Sequence, residues 1–345
     1  MSSKKTSIPG AGYSLSVVVP AYNEQEVLSE FHRRLAQTLD QMSCEAEIVY
    51  VNDGSRDNTM VVLHAIRAVD PRVSIVDLSR NFGKEIAVSA GLEHSAGDAV
   101  IIIDADLQDP PELIPALVAK WQHGYDNVYA KRKVRDGESW FKKITAHYFY
   151  RVMQSVSRIK IPEDTGDFRL LSRRAVLALG QLNEQHRFMK GLFAWIGYPS
   201  IAVEYDRDPR FAGETKWNYW KLWNFALEGI TSFTIAPLKI ATYLGICVAG
   251  LAFMYAIYTI YKTLMYGESV KGYPSLMVVT LLLGGSNLIA VGLLGEYLGR
   301  IFNESKGRPL YFVNVFEPSE LHRLHAAAGR ESVPSERNPG AVTSS

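Results

Sequence analysis

Two aspartates one residue apart, Asp104 and Asp106, follow the apolar run Ile101-Ile102-Ile103 and precede Leu107-Gln108-Asp109-Pro110-Pro111. Successive β-branched residues suit a pleated, buried strand, and the paired prolines end its ladder and open a helix. The carboxylates therefore fall at the carboxyl edge of a sheet, where open α/β sheets bind ligands. Two hard oxygen donors at this spacing suit a divalent cation, Mg²⁺ or Mn²⁺, that also grips a diphosphate. An isolated D-x-D is equally consistent with a capped turn and a solvated acid, so its meaning depends on what else reaches the same edge.

Two other polar loops reach it. Pro20-Ala21-Tyr22-Asn23-Glu24 closes an apolar strand, Leu15–Pro20, and Asn52-Asp53-Gly54-Ser55 closes a second, Glu47–Asn52. Either loop alone is an ordinary turn. Combined with the aspartates they line one nucleotide pocket, in which Asp53 accepts from a base N–H and Pro20 to Tyr22 border the base.

The elements behind these loops alternate. A helix with the stripe Val27, Phe31, Leu35, Leu39 follows the first strand, and a helix capped by Asp57 or Asn58 and running through Val69 follows the second. Val73–Leu78, a helix from Lys84 to Ser95, Ala99–Asp104, Asp126–Lys131 and Ser200–Tyr205 continue the series. Such alternation predicts an α/β fold with a mainly parallel sheet and helices on both faces. The first strand is not followed by G-x-G-x-x-G, which disfavours a dinucleotide-binding Rossmann domain.

The rest of the chain points to a lipid bilayer. No charge interrupts Ile240–Tyr261 or Tyr273–Gly295, and each exceeds the roughly 20 residues that cross a bilayer core. Two transmembrane helices are expected, at about 238–262 and 273–297. Before them, Trp217, Trp220 and Trp223 with Lys216 and Lys221 predict an interfacial amphipathic helix over 216–234. Trp140–Val156 reads as a helix with an aromatic face.

The loop between the spans carries Lys262, Glu268 and Lys271, whereas the other flank carries Lys216, Lys221, Lys239, Arg300, Lys306 and Arg308. The positive-inside rule then puts a domain over 13–215 and both termini in the cytoplasm. Residues 1–12 are expected to be disordered and 302–345 a partly disordered tail, above all from Ser319 onward. A net charge of +1 provides no field for nucleic acid. The two cysteines, Cys44 and Cys247, imply neither disulfide nor metal site. Gly284, Gly285, Ser286, Gly292 and Gly295 permit close helix packing and a homo-oligomer.

In order and spacing, VVVPAYNE, VNDGSRDNT and DADLQDPP resemble the family 2 glycosyltransferases of GT-A fold. SRNFGKE (79–85), AKR (130–132), GDFRLLSR (166–173), MKGLFAWIG (189–197) and GLLGEYLGRIFNE (292–304) extend the resemblance to the polyisoprenyl-phosphate glycosyltransferases. Within these the chain is most similar to the phage-type bactoprenol glucosyl transferases of O-antigen modification, and more distantly similar to dolichol-phosphate mannose synthase.

The resemblance implies an inverting transfer of a hexose, glucose from UDP-glucose, onto undecaprenyl phosphate at the cytoplasmic membrane face, by a homo-oligomer, a tetramer in the family. A phosphate acceptor is already anionic, so no catalytic histidine is required. His32, His64, His94, His123, His147 and His186 have no partner at motif spacing.

By that resemblance Asp106 holds the metal, with Asp104 supporting it or a ribose hydroxyl. Pro20, Ala21, Tyr22, Glu24, Asp53, Ala105 and Gln108 line the donor. Arg210 and Lys216 clamp the diphosphate, although one extra residue between arginine and Gly213 leaves Arg207 as an alternative. Arg132, with Lys142 or Lys143 and Arg169, receives the acceptor phosphate. Asp167 orients the sugar, assists the acceptor, or forms a plain salt bridge. A processive polysaccharide synthase would require Q-x-x-R-W, which the chain lacks. A mannose- or amino-sugar-specific transferase differs only in pocket geometry.

Overall fold

The computed structural model describes residues 12–132, 165–185, 187–205 and 272–327, and single positions between 243 and 266. Strand β1 (Ser14–Ala21) leads to helix α1 (Leu28–Asp40), β2 (Glu45–Asn52) to α2 (Thr59–Val69), and β3 (Val73–Leu78) to α3 (Lys84–Glu93). β4 (Ala99–Ile102) is followed by a 3₁₀ turn over Pro111–Leu113, α4 (Ile114–Gln122) and β5 (Asn127–Arg132). Then come β6 (Thr165–Ser172), α5 (Arg173–Gly180), α6 (Met189–Trp195) and β7 (Ser200–Tyr205). After the long helix α7 (Tyr273–Ser305), β8 (Val313–Glu317) and α8 (Glu320–Ala327) end the described chain.

The strands form one sheet of order β7-β5-β6-β4-β1-β2-β3-β8. β4-β1-β2-β3 run parallel, as do β5 and β7, while β6 and β8 run antiparallel to their neighbours. The mainly parallel expectation holds. Leu15, Val17, Val18, Val19, Ile48, Val49, Tyr50 and Val51 are fully buried, as strands covered on both faces must be. The α1 stripe Phe31, Leu35 and Leu39 joins the same core. Helix α3 sits so close to the sheet that a Cβ on Gly91 would lie 2.2 Å from Val18 Cγ1.

Two strands were illegible in the sequence. β6 carries the GDFR segment and inserts antiparallel between β4 and β5. β8 pairs with β3 through Val76 and Phe316 and closes what would otherwise be an exposed edge. The tail is thus more ordered than its composition suggested. Ser319, expected to begin a disordered stretch, is fully buried, its N–H donating to Ser74 Oγ at 2.8 Å and its hydroxyl to Glu47 Oε2 at 3.0 Å. Glu47 also accepts from Ser16 Oγ and Ala96 N, both at 2.6 Å, so a buried carboxylate explains the order.

The strands and α8 belong to one compact unit and α7 to another. α7 has 33 residues, about 50 Å of helix, and contains the one helix long and apolar enough to cross a membrane among the described residues, Leu282–Ser305. Leu282, Leu288, Ile289, Leu294, Leu298 and Ile301 on it are exposed. Every described position from 243 to 266 is helical, and Tyr243, Leu251, Met254, Tyr258 and Leu264 are likewise exposed. The helices expected at Trp140–Val156 and over 216–234 lie outside the described residues.

Candidate active site

The loops after β1 and β2 are knitted together at the carboxyl edge of the sheet. Asn23 N–H donates to Ser55 Oγ (3.0 Å), Asn23 Oδ1 accepts from Arg56 N (2.8 Å), and Glu24 N–H donates to Thr59 Oγ1 (3.0 Å). Asn23 takes a left-handed conformation (φ 54°), which asparagine tolerates.

The loop after β3 is keyed into the second of these. A Cβ on Gly54 would lie 2.5 Å from the backbone of Arg80 and Asn81, and Gly54 has φ +64°, so glycine is required twice over. Beside it, Asp53 Oδ1 accepts from Phe82 N at 2.7 Å and Oδ2 from Gly83 N at 3.0 Å. Asp53 is 3% exposed. Both oxygens therefore anchor the loop after β3, a role in addition to the expected contact with a base N–H, for which each oxygen keeps a second lone pair. Burial raises its pKa against these two bonds and the nearby Arg80 charge.

What that anchoring positions is Lys84, the first residue of α3. Its Nζ lies 2.7 Å from Asp104 Oδ2 and 2.5 Å from Asp167 Oδ2. The ladder explains why these acids meet: β4 and β6 pair Ala99 with Ser172 and Ile102 with Arg169, and the same register carried past the strand end sets position 104 opposite 167. Two facing carboxylates repel, and the ammonium between them offsets that repulsion. Burial works against the Lys84 charge, but Asp104 and Asp167 more than compensate and raise its pKa. Burial raises Asp104 while Lys84 opposes it. Burial would also raise Asp167, yet Lys84 and Lys190 hold it well below the usual carboxylate range. Next to them, burial and the Asp167 charge push Glu85 up to about 7.

Asp106 faces the same edge from a tight turn. Its Oδ1 accepts from Gln108 N at 3.1 Å, while Leu107 between them has φ 59° and is 2% exposed. A leucine side chain locked in the core sustains that strained backbone and so fixes where Asp106 and Gln108 project.

The expected site residues thus divide. Asp104 and Asp167 share Lys84, Asp106 and Gln108 share the next turn, and Pro20, Tyr22 and Glu24 lie at the end of the neighbouring strand β1, all partly accessible. Ala21 and Ala105 are buried in the core cluster and have only backbone to present. Arg169, expected at the acceptor phosphate, is buried instead: its guanidinium lies 3.8 Å from the Phe193 ring centroid and donates to Gly166 O. The reason is that β6 is an inner strand with both faces covered. Burial lowers its pKa to about 10, leaving it charged at neutral pH. Arg132 ends β5. Lys142, Lys143, Arg210 and Lys216 lie outside the described residues.

The residue that sequence reasoning missed is Lys84. SRNFGKE carries part of the family resemblance without assigning Lys84 a role. One signal was present: a lysine at the first position of a helix opposes the macrodipole, which favours anions there.

Among the described residues no three His, Cys, Asp or Glu side chains gather into a closed metal cage. Asp104 and Asp106 offer a partial oxygen set, which fits a Mg²⁺- or Mn²⁺-like ion that completes its shell with water and substrate phosphate.

The chain is similar to known proteins over most of its length. Residues 16–180 match Glycosyl transferase family 2, and residues 236–301 match the GtrB C-terminal hairpin. An uncharacterized glycosyltransferase of Synechocystis is 55% identical over 300 residues, covering 87% of this chain and 94% of that protein. The bactoprenol glucosyl transferase of Shigella phage SfV is 49% identical, covering 87% and 97%. A prophage bactoprenol glucosyl transferase homolog of Escherichia coli is 48% identical, covering 87% and 98%. Among solved structures, glucosyl-3-phosphoglycerate synthase from Mycobacterium tuberculosis with Mn²⁺ and uridine diphosphate is similar at a TM-score of 0.46 and 19% identity, covering 64% of this chain and 76% of that one.

Proposed function

This chain belongs to the family 2 glycosyltransferases, and we propose that it transfers glucose from UDP-glucose to undecaprenyl phosphate at the cytoplasmic face of a bacterial membrane. The reading rests on near full-length similarity to proteins named bactoprenol glucosyl transferase. The charge arrangement at the sheet edge is chemically suited to it.

Asp106 and Asp104 would hold a divalent cation, which when bound neutralises the diphosphate and the charge that develops on it as it leaves. Tyr22, with the backbone of Pro20 and Ala21, borders the nucleotide, and Gln108 faces sugar or diphosphate. Arg210 and Lys216 clamp the diphosphate from the opposite side. Arg132, aided by Lys142 or Lys143, receives the acceptor phosphate. That phosphate attacks the anomeric carbon without surrendering a proton, so the site needs no general base. Asp167, beside the Lys84 ammonium, orients the sugar or assists the acceptor as a fixed charge.

Strand order supports a paired crossing of the membrane. β8 comes after α7 in the chain yet pairs with β3, so the segment between β7 and β8 leaves the sheet and returns to it. A segment that starts and ends on one face of a bilayer crosses it an even number of times. α7 supplies one crossing, and the uncharged run Ile240–Tyr261 supplies the other. Exposed apolar side chains on both segments have lipid as their natural solvent. The basic residues flanking the pair orient it with the sheet in the cytoplasm. Its glycines favour a homo-oligomer, a tetramer in this reading.

The test is transfer by the full-length protein in detergent, using labelled UDP-glucose and undecaprenyl phosphate. A lipid-soluble glucosyl product that disappears with EDTA and returns with Mg²⁺ or Mn²⁺ is expected. Transfer indifferent to chelation would refute the metal assignment, and no lipid-linked hexose from any nucleotide hexose would refute the function.

A further inference from the structure

We propose that Lys84 is a resident counter-cation of the donor site that makes divalent-metal binding conditional on the donor diphosphate. This rests on the transferase reading above and adds to it a residue and an order of binding. The observation is the bridge itself: one ammonium within 2.7 Å of Asp104 and 2.5 Å of Asp167.

The β4–β6 register, carried past Ile102, sets Asp104 opposite Asp167, so the sheet holds their backbones side by side. Lys84 is held just as firmly. It follows Gly83, whose N–H donates to Asp53, and it begins a helix pressed against β1 at Gly91. The ammonium therefore stands on a fixed backbone beside both carboxylates.

Its consequence for a dication is electrostatic. Lys84 already pairs with Asp104, one of the carboxylates that would hold the metal, and so sets a like charge beside that carboxylate, a repulsion that partial burial strengthens. A dication arriving alone meets this repulsion against two carboxylates, one already paired. Arriving with a diphosphate, it brings compensating anions, and Lys84 gains a second negative partner. Lys84 thus lowers affinity for the metal alone and raises it for the metal with nucleotide. The single ammonium offsets one of the two carboxylate charges and screens their mutual repulsion.

The test measures Mn²⁺ binding to the full-length protein by the electron paramagnetic resonance of free Mn²⁺, with and without UDP. Wild type is expected to bind Mn²⁺ weakly alone and at least about tenfold more tightly with UDP. Lys84→Met is expected to bind Mn²⁺ alone at least about tenfold more tightly than wild type and to lose most of the UDP effect, while Lys84→Arg retains wild-type behaviour. Lys84→Gln gives a second neutral variant should the Met variant misfold. Equal Mn²⁺ affinity in wild type and the neutral variants, or weaker binding in the variants, overturns the proposal. If wild type transfers glucose while that result is found, only this inference fails. If wild type binds no Mn²⁺ even with UDP, the metal assignment fails with it.

Discussion

Replacing Asp53 by alanine separates a loop anchor from a base-recognition residue. In the structure the carboxylate accepts from Phe82 N at 2.7 Å and Gly83 N at 3.0 Å and is 3% exposed. A hydrogen bond to a charged group contributes about 1.5–3 kcal/mol. Two of them give roughly 3–6 kcal/mol, and the lower end applies because Phe82 and Gly83 are partly accessible and water can reach the freed amides. A loss of about 3 kcal/mol corresponds to an unfolding midpoint lowered by roughly 6–12 °C in a domain of this size. Because the loop carries Lys84, turnover should fall together with stability. Asp53→Asn should fall between the two, since its amide oxygen satisfies one N–H while its amino group faces the other. The assays are thermal unfolding of the full-length protein and UDP binding by calorimetry. An Asp53→Ala protein with an unchanged midpoint and only a raised donor KM would refute the anchoring argument and leave Asp53 the base contact alone.

Other expectations follow from single contacts. Asp106→Ala should abolish transfer with the unfolding midpoint unchanged, and near-normal turnover would remove it from the metal site. Arg132→Ala should raise the acceptor KM more than the donor KM, and the reverse pattern would exclude it from the lipid phosphate. Burial alone would raise Asp70, but hydrogen bonds from His32 and Arg72 outweigh it and hold the carboxyl below its usual range. A depressed carboxyl contributes stability above its unfolded pKa near 4 and loses it as pH falls. Asp70→Asn should therefore flatten acid destabilisation between about pH 5 and 2, by on the order of 2 kcal/mol in denaturant titrations. Ser319→Ala should cost about 1–3 kcal/mol, because buried Glu47 Oε2 loses its donor; an unaltered midpoint would mean that the tail does not secure the sheet.

The parallel half of the fold was legible because its strands are short β-branched runs and its helices carry clear stripes. Val73–Leu78 forms a strand with the bounds expected, and Ser200–Tyr205 does too. β6 escaped notice because Gly166, Asp167 and Arg169 interrupt its apolar pattern, and β8 because Asn314 and Glu317 make it read as tail. Both strands are specified by the neighbours they pair with more than by their own composition, which is the usual weakness of β propensity as a guide.

The sequence alone determined that paired aspartates and two polar loops share one sheet edge, because strand polarity and element order dictate it. It also determined a long apolar helix near the C-terminus. Tertiary structure decided which partner each charge meets. Asp53 turned inward to the loop amides, Arg169 turned under Phe193, and Lys84 came between Asp104 and Asp167. Residue type states what a side chain can bind, whereas the register between β4 and β6 and the seat of α3, set far along the chain from one another, state what lies within 3 Å of it.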